Sequence, residues 1–136
     1  MKKEKEFNVI ICGSKNFADY KLLKEKCDYY LSERLRRGEK ITIISGGEGG
    51  AEKLGEDYAK ENNFSLKIIS ANWDKYGKRA GYLRNNKMAE LGNACIAFIV
   101  ESEDCKRTKM LVRLAREKHL LVREIKSSKN AGEESI

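Results

Sequence analysis

Short apolar runs alternate with segments of helical periodicity along the chain, and this alternation constrains the fold more than any other feature. The runs lie at residues 6–12, 40–44, 66–69, 94–100 and 120–122. Between them, apolar residues recur every three or four positions, as they do in amphipathic helices. Strands separated by helices pair in parallel through crossover connections, because a tight hairpin can join only antiparallel neighbours. The sequence therefore predicts an α/β fold.

The composition of the runs indicates how the sheet is covered and ordered. Residues 6–12 and 94–100 are almost continuously apolar, which is typical of a sheet with helices on both faces. Residues 66–69 form a weaker run that we expect near an edge. We predict a single Rossmann-like, doubly wound parallel sheet of about five strands in the order 3-2-1-4-5. Ligands bind such sheets beyond the carboxyl ends of the strands, where the winding reverses, here between the first and fourth strands.

Turn and cap residues predict the helices and the extent of the domain. A first helix follows the candidate N-cap Asp19 and stops at Gly38, and further helices cover about 51–62, 79–91 and 106–115. The segment with Trp73 and Tyr76 is predicted to be a loop. With 136 residues the chain forms about one domain, which we place at 1–126, and we expect residues 127–136 to be a polar, disordered tail.

Charge and hydropathy restrict the partners and the location. Lys and Arg number 28 against 21 Asp and Glu, a net charge of +7, which favours anionic partners such as nucleotides or nucleic acid. The longest apolar run, Ala94–Val100, is far shorter than the roughly 20 residues of a membrane span. The N-terminus resembles no signal peptide. We therefore predict a cytoplasmic protein without a membrane partner.

The cysteines do not form a metal-binding pattern. Cys12, Cys27, Cys95 and Cys105 include no CxxC pair, and His119 is the single histidine. A structural zinc site needs four thiolate or imidazole ligands, usually in close pairs. We predict reduced thiols, no metal and no cofactor.

Three loops at the predicted carboxyl ends carry residues suited to phosphate. A glycine lets a ligand approach the backbone, and free N–H groups at a helix N-terminus attract anions. The loop after the second strand, residues 46–50, is rich in glycine and is called the glycine-rich loop below. It matches neither the GxGxxG fingerprint nor a P-loop, and its alternative role is that of a flexible turn. The candidate phosphate-binding residues are Gly13, Ser14 and Lys15 after the first strand, Gly46, Gly47, Gly49 and Gly50 after the second, and Arg107 and Thr108 after the fourth.

The segment after the third strand is basic and aromatic. From Lys75 to Lys87 it holds five basic residues and no acidic one. Arg84 and Asn85 offer a guanidinium fork and an amide for phosphate or ribose, and Arg84 has no acidic neighbour in sequence. Trp73 and Tyr76 could stack on a base. The alternatives are a core or cap role for Trp73 and a solvated face for the charges.

The blocks GSKNFADY (13–20), SGGEGGAEKLGEDYAKE (45–61), ANWDKYGKRAGYLRNNKMAE (71–90) and RTK (107–109) resemble the YspA-like branch of the SLOG superfamily. This superfamily comprises Rossmann-like proteins related to the lonely guy phosphoribohydrolases and to DprA. The resemblance extends to about residue 125, and 71–90 is its most specific part. It implies a nucleotide-derived ligand held by Gly46-Gly47, by Arg84-Asn85 with Met88, and by Thr108.

The chain departs from this pattern at positions that matter for catalysis. Lys15, Gly49 and Glu52 stand where the family usually has arginine, arginine and aspartate, and Arg107 replaces a glycine. Leu111 occupies the position of the glutamate that the hydrolases use. A phosphoribohydrolase needs a carboxylate near the departing base or ribose. The catalytic residue is therefore unassigned, and the candidates are Glu48, Glu52 and Asp74.

Three functions remain open. The first is a module that binds a nucleotide-derived small molecule and senses or sequesters it, in bacterial nucleotide signalling or as a phage-encoded sponge. The second is an enzyme that hydrolyses an N-glycosidic or phosphoester bond of a nucleotide. The third is nucleic-acid binding, which the net charge favours only weakly because the basic residues lie in loops. The incomplete hydrolase pattern favours binding over turnover, and a homo-oligomer is left open.

Overall fold

Five parallel strands form one sheet in the computed structural model, which describes residues 5–127. The strands are β1 (Glu6–Gly13), β2 (Lys40–Ser45), β3 (Ser65–Ile68), β4 (Ala94–Val100) and β5 (Leu121–Ser127). They lie in the order β3-β2-β1-β4-β5, and every neighbouring pair is parallel. The predicted α/β class, strand order and doubly wound Rossmann-like arrangement are confirmed.

Helices connect each strand to the next. They are α1 (Tyr20–Arg36), α2 (Ala51–Glu61), α3 (Trp73–Tyr76), α4 (Ala80–Leu91) and α5 (Lys106–Glu117), with a 3₁₀ turn at Gly77–Arg79. The predicted cap of α1 is present, because the Asp19 carboxylate accepts a hydrogen bond from the Leu22 N–H at 3.0 Å.

Two elements, α3 and β5, differ from the sequence prediction. The predicted loop around Trp73 is the short helix α3, because the Asn72 side chain caps it by accepting from the Lys75 N–H at 3.0 Å. Helix α5 begins at Lys106, as the sequence predicts, and continues to Glu117, two residues beyond the last apolar position that marks it in the sequence. Strand β5 continues to Ser127, the first residue of the predicted tail, and residues 128–136 lie outside the described part of the chain.

The sheet separates two apolar layers. On one face, alternate residues of β1 such as Val9 and Ile11 pack with residues of α1 and α2. On the other face, Ile10 and Cys12 pack with residues of α4 and α5. Because successive side chains of a strand point to opposite faces, a strand covered on both sides must be apolar throughout. This requirement explains the continuous runs in β1 and β4.

Gly50 brings the loops after β1 and β2 into backbone contact. Its φ is +66°, and an ideal Cβ at this position would lie 2.2 Å from the Ser14 carbonyl oxygen. The adjacent Ala51 N–H donates to that same oxygen at 3.2 Å. A side chain at Gly50 would therefore be strained in its dihedral angles and would also collide with a backbone atom that cannot move independently.

Gly50→Ala should lower the free energy of unfolding by about 2–4 kcal/mol, because left-handed strain and overpacking add. Gly49→Ala is the matched control, since a Cβ at Gly49 meets no atom within 4 Å, and it should change stability by less than about 0.5 kcal/mol. Urea titration of both variants measures the difference. Equal stabilities of the two variants would contradict the contact between the loops.

Candidate functional site

A cavity of about 520 Å³ opens at the carboxyl ends of the strands, within the size range of small-molecule sites. It lies between the loops after β1, β2 and β4, and α4 forms part of its wall. The winding of the sheet reverses between β1 and β4, so the cavity occupies the switch point. The predicted site residues that line it are Gly13, Ser14, Lys15, Glu48, Gly49, Glu52, Arg84, Asn85, Arg107 and Thr108.

Several predicted site residues lie elsewhere. Gly46, Gly47 and Gly50 belong to the glycine-rich loop but do not line the cavity. Trp73, Tyr76 and Asp74 also lie outside its lining, on the exposed surface of α3. The Tyr76 ring contacts the Lys75 ammonium, which is 5.1 Å from the ring centroid. Asp74 is thus separated from the other two catalytic candidates, Glu48 and Glu52.

Arg84 is buried beside the glycine-rich loop. Its Nη1 donates to the Gly46 carbonyl oxygen at 2.9 Å and lies 3.6 Å from Glu48 Oε1. Its Nε donates to Asn85 Oδ1 at 3.0 Å. The sequence offers Arg84 no acidic neighbour, but the fold supplies one from the loop after β2. Arg84 is therefore a partnered cation, and part of its role is to hold α4 against that loop.

Glu48 joins two arginines across the cavity. Its carboxylate lies 3.6 Å from Arg84 Nη1 and 3.5 Å from Arg107 Nη1. The Arg84 side chain is 3% exposed and that of Arg107 is 49% exposed, so the pair spans from the wall of the cavity to its rim. Glu48 consequently balances part of the positive charge that both guanidinium groups direct toward the cavity.

Trp73 is linked to the rim of the cavity through Arg107. The Arg107 guanidinium lies 4.6 Å from the centroid of the Trp73 ring, a cation–π contact. The ring is 39% exposed, so Trp73 is not the core residue that was the alternative interpretation. Stacking of a base on Trp73 or Tyr76 stays a prediction.

Three backbone N–H groups in and beside the glycine-rich loop make contacts within the protein. The Gly47 N–H donates to Ser45 Oγ at 3.1 Å, and the Glu48 N–H donates to Glu52 Oε2 at 3.0 Å. The Ala51 N–H donates to the Ser14 carbonyl oxygen. These three groups therefore do not form the expected cradle of free donors, and the loop instead positions Glu48 and Glu52.

Three polar residues of the lining hold the loops together. Ser14 Oγ accepts from the Val100 N–H at 2.8 Å and lies 2.9 Å from Cys105 Sγ. Thr108 Oγ1 donates to the Gly13 carbonyl oxygen at 3.1 Å. Asn85 Nδ2 donates to the Arg107 carbonyl oxygen at 3.0 Å, which connects α4 to α5. Their ligand-binding roles stay predictions.

The floor of the cavity is chemically inert. Leu111, which the resemblance aligns with the hydrolase glutamate, is buried there, as is Cys12. The hydrogen bond that the Cys12 thiol shares with Cys95, together with burial, raises the pKa of Cys12 well above its ordinary value. This thiol therefore stays protonated and is not a nucleophile at neutral pH.

Sequence analysis missed Glu103, Asp104 and Asn16, which also line the cavity. Glu103 and Asp104 lie in the loop after β4, so the rule that ligands bind at carboxyl ends would have indicated them.

Across residues 5–127, no three or more His, Cys, Asp or Glu side chains cluster as a metal site would require. Within the same range, every helix is too short or too polar to span a membrane.

Loss of Arg84 should destabilise the protein. Arg84→Ala removes the hydrogen bond to Gly46 and leaves Glu48 and buried Glu52 without their nearest inner cation, so we expect a loss of about 2–4 kcal/mol. Arg107→Ala removes a half-exposed partner of the same Glu48 and should cost less than about 1 kcal/mol. Denaturant unfolding compares the two. Equal small losses would show that Arg84 is not a structural cation.

Glu52 should make stability depend on pH. Burial raises the pKa of its carboxyl above the ordinary 4.5, although the Glu48 N–H and Arg84 oppose the shift. The folded carboxyl thus holds its proton more tightly than the unfolded one, and stability falls as pH rises from 4.5 through the raised pKa. Relative to Glu52→Gln, the wild type should lose stability over this window in urea titrations. Parallel curves for the two proteins would contradict the burial of this charge.

Comparison with known proteins supports a family assignment. The chain is 29% identical over 97 residues to Gene 61 protein of Mycobacterium phage D29, covering 66% of this chain and 74% of that protein. No solved structure matches it significantly. Residues 7–76, just over half of the chain, match the model of the YspA, cpYpsA-related SLOG family, YAcAr. This match includes the glycine-rich loop and ends before α4, so it does not cover Arg84 or Arg107. The chain belongs to the YspA, cpYpsA-related SLOG family, as its resemblance predicted.

Proposed function

We propose that the protein binds a nucleotide or nucleotide-derived small molecule in the cavity at the switch point, as a sensing or sequestering module. Membership of the SLOG family indicates a nucleotide-related ligand or a related activity. A phage protein is among its relatives, which fits sequestration of a host signal as well as sensing. The proposal rests chiefly on the two arginines that share one glutamate in this cavity.

The arginine pair has the chemistry of a phosphate site. Arg84 and Arg107 both line the cavity, and the single carboxylate of Glu48 lies within 3.6 Å of each. A guanidinium binds phosphate through charge-assisted, often bidentate hydrogen bonds, which are about twice as strong as neutral ones. A phosphate that enters the cavity would exchange with Glu48 as the counter-ion of both arginines.

The N-terminus of α5 adds to this positive potential. The helix has 12 residues, and its cap residue Cys105 makes no side-chain hydrogen bond to it. Its first residues, Lys106, Arg107 and Thr108, all line the cavity. The first N–H groups of a helix lack acceptors within the helix, and the helix dipole favours an anion beside them.

Hydrolysis of the ligand is the second candidate function. It is favoured by Glu52, a buried carboxyl on the cavity wall whose pKa burial raises, as in many general acids. Leu111 opposes it, because an apolar side chain stands where the related hydrolases carry their glutamate. We therefore expect slow or absent turnover of nucleoside monophosphates.

Mass spectrometry of metabolites released from the purified protein would identify the ligand, with Arg107→Ala as the reference. We expect a nucleotide-derived compound that is enriched on the wild type and depleted on the variant.

Calorimetry and product analysis with a nucleotide panel then separate binding from turnover. Release of free base that Glu52→Gln abolishes would establish the enzyme. Equal or stronger binding of duplex DNA, falling steeply with salt, would favour nucleic-acid binding.

Glu48 should weaken anion binding, since it competes for the arginines. Glu48→Gln should tighten binding of a nucleoside monophosphate by roughly 3–10-fold, whereas Arg107→Ala should weaken it by roughly 10–100-fold. Titration calorimetry of adenosine monophosphate with the three proteins measures both effects. Weaker binding to Glu48→Gln would mean that Glu48 contacts the ligand favourably, and the exchange of counter-ions would then be wrong.

A further inference from the structure

Strand β5 is an edge of the sheet that can accept a further strand. Its seven residues, Leu121–Ser127, pair with β4 in one continuous register, and no strand of the described chain pairs with their other side. The strand contains no proline and no glycine. The opposite edge of the sheet, β3, has only four residues. A long, regular edge presents N–H and C=O groups to which another chain can bind.

The hydrogen bonds to β4 determine which residues of β5 present their backbone outward. The Leu121 N–H donates to the Asn93 carbonyl oxygen at 3.1 Å, and the Ser127 carbonyl oxygen accepts from the Glu101 N–H at 2.8 Å. In a parallel ladder, alternate residues of a strand bond to the same neighbour. The residues whose N–H and C=O groups point away from β4 are therefore Val122, Glu124 and Lys126.

Arg123 covers one of these outward groups. Its Nη1 donates to the Val122 carbonyl oxygen at 2.9 Å, and its guanidinium lies 5.6 Å from the centroid of the Tyr30 ring. Pairing with a further strand would therefore centre on the backbone groups of Glu124 and Lys126.

The charges of β5 are complementary to those of a second copy of β5 in one antiparallel register. With a two-fold axis at Ile125, Glu124 lies opposite Lys126 of the second copy, and this pair occurs twice. An axis at Arg123, Glu124 or Lys126 would instead set that residue against its own copy. Opposite charges across two strands stabilise their pairing, and like charges destabilise it. Of these four registers, the one centred on Ile125 is therefore the one that the charges favour.

The order of the two charges is the feature that points to self-association. Charged side chains on an edge strand commonly prevent pairing with other chains. An acidic and a basic residue placed two positions apart, however, become complementary when a two-fold axis passes between them. Glu124 also lies 3.1 Å from Arg116 Nη2 of α5, so in this register its carboxylate would lie between two cations.

We propose that β5 is the interaction surface for a second copy of this chain. Two five-stranded sheets then join antiparallel through β5 into one sheet of ten strands, with the two-fold axis at Ile125. Glu124 and Lys126 of the second copy exchange both N–H···O bonds, as opposed residues do at alternate positions of an antiparallel ladder. No residue of Leu121–Ser127 lines the cavity, so this proposal is independent of the proposed function.

Sedimentation equilibrium of the full chain, from micromolar to millimolar concentration, tests the register by exchange of charges. We expect the wild type to form dimers. Glu124→Lys and Lys126→Glu should each weaken dimerisation tenfold or more, because each sets like charges opposite each other twice. The double variant Glu124→Lys/Lys126→Glu should restore the wild-type affinity. An equimolar mixture of the two single variants should form heterodimers.

Two further variants separate the strand register from charge and from folding. Lys67→Glu makes the same change of charge as Lys126→Glu but on β3, and it should leave dimerisation unchanged. Lys126→Pro removes an outward N–H that β4 does not use, so it should abolish the dimer while the circular dichroism spectrum stays that of the wild type.

Three results would overturn the proposal. The first is a wild type that is monomeric at every concentration, as it would be if another part of the chain or a different protein covered this edge. The second is a dimer that both single charge reversals and Lys126→Pro leave intact. The third is equal weakening by Lys67→Glu and Lys126→Glu, since the net charge of the protein would then govern association.

Discussion

The architecture of the cavity depends on the contacts of one buried group, the guanidinium of Arg84. It fastens α4 to the loop after β2 through the Gly46 carbonyl oxygen and Glu48, and its neighbour Asn85 fastens α4 to the start of α5. A buried cation must be surrounded by acceptors, or its desolvation would exceed what the fold can compensate. The same charge that organises these loops lines the cavity, so in the proposed function one group serves both stability and recognition.

The sheet could be predicted because each strand is specified by an apolar run within its own segment of the sequence. The site could be predicted only in part, because it depends on contacts between distant segments. The apolar runs of β1 and β4 follow directly from burial on both faces. At the edge strand β5, the exposed and consecutive Arg123 and Glu124 end the apolar run, and this concealed the length of the strand. The contact between Glu48 and Arg84 joins segments distant in sequence, and no periodicity indicates it. Three N–H groups in and beside the glycine-rich loop, those of Gly47, Glu48 and Ala51, are bonded internally, and these bonds could not be predicted from the sequence.

The distribution of charge in the cavity suggests how binding and selectivity are divided. In the proposed function, the arginines and the start of α5 attract the phosphate of the ligand, and the carboxylates offset part of their positive charge. The basic, aromatic surface of residues 73–79 lies outside the cavity lining and meets it through the contact of Trp73 with Arg107. A base held at the rim could stack on the aromatic rings of this surface. The apolar floor of the cavity, formed in part by Leu111, supplies no group for hydrolysis.

A crystal structure of the protein with adenosine monophosphate tests the central claim most directly. We expect the phosphate between Arg84 and Arg107, with the Glu48 carboxylate displaced from both guanidinium groups. Phosphate bound on the outer surface of α3, with the contacts of Glu48 to both arginines unchanged, would contradict the assignment of the cavity as the nucleotide site.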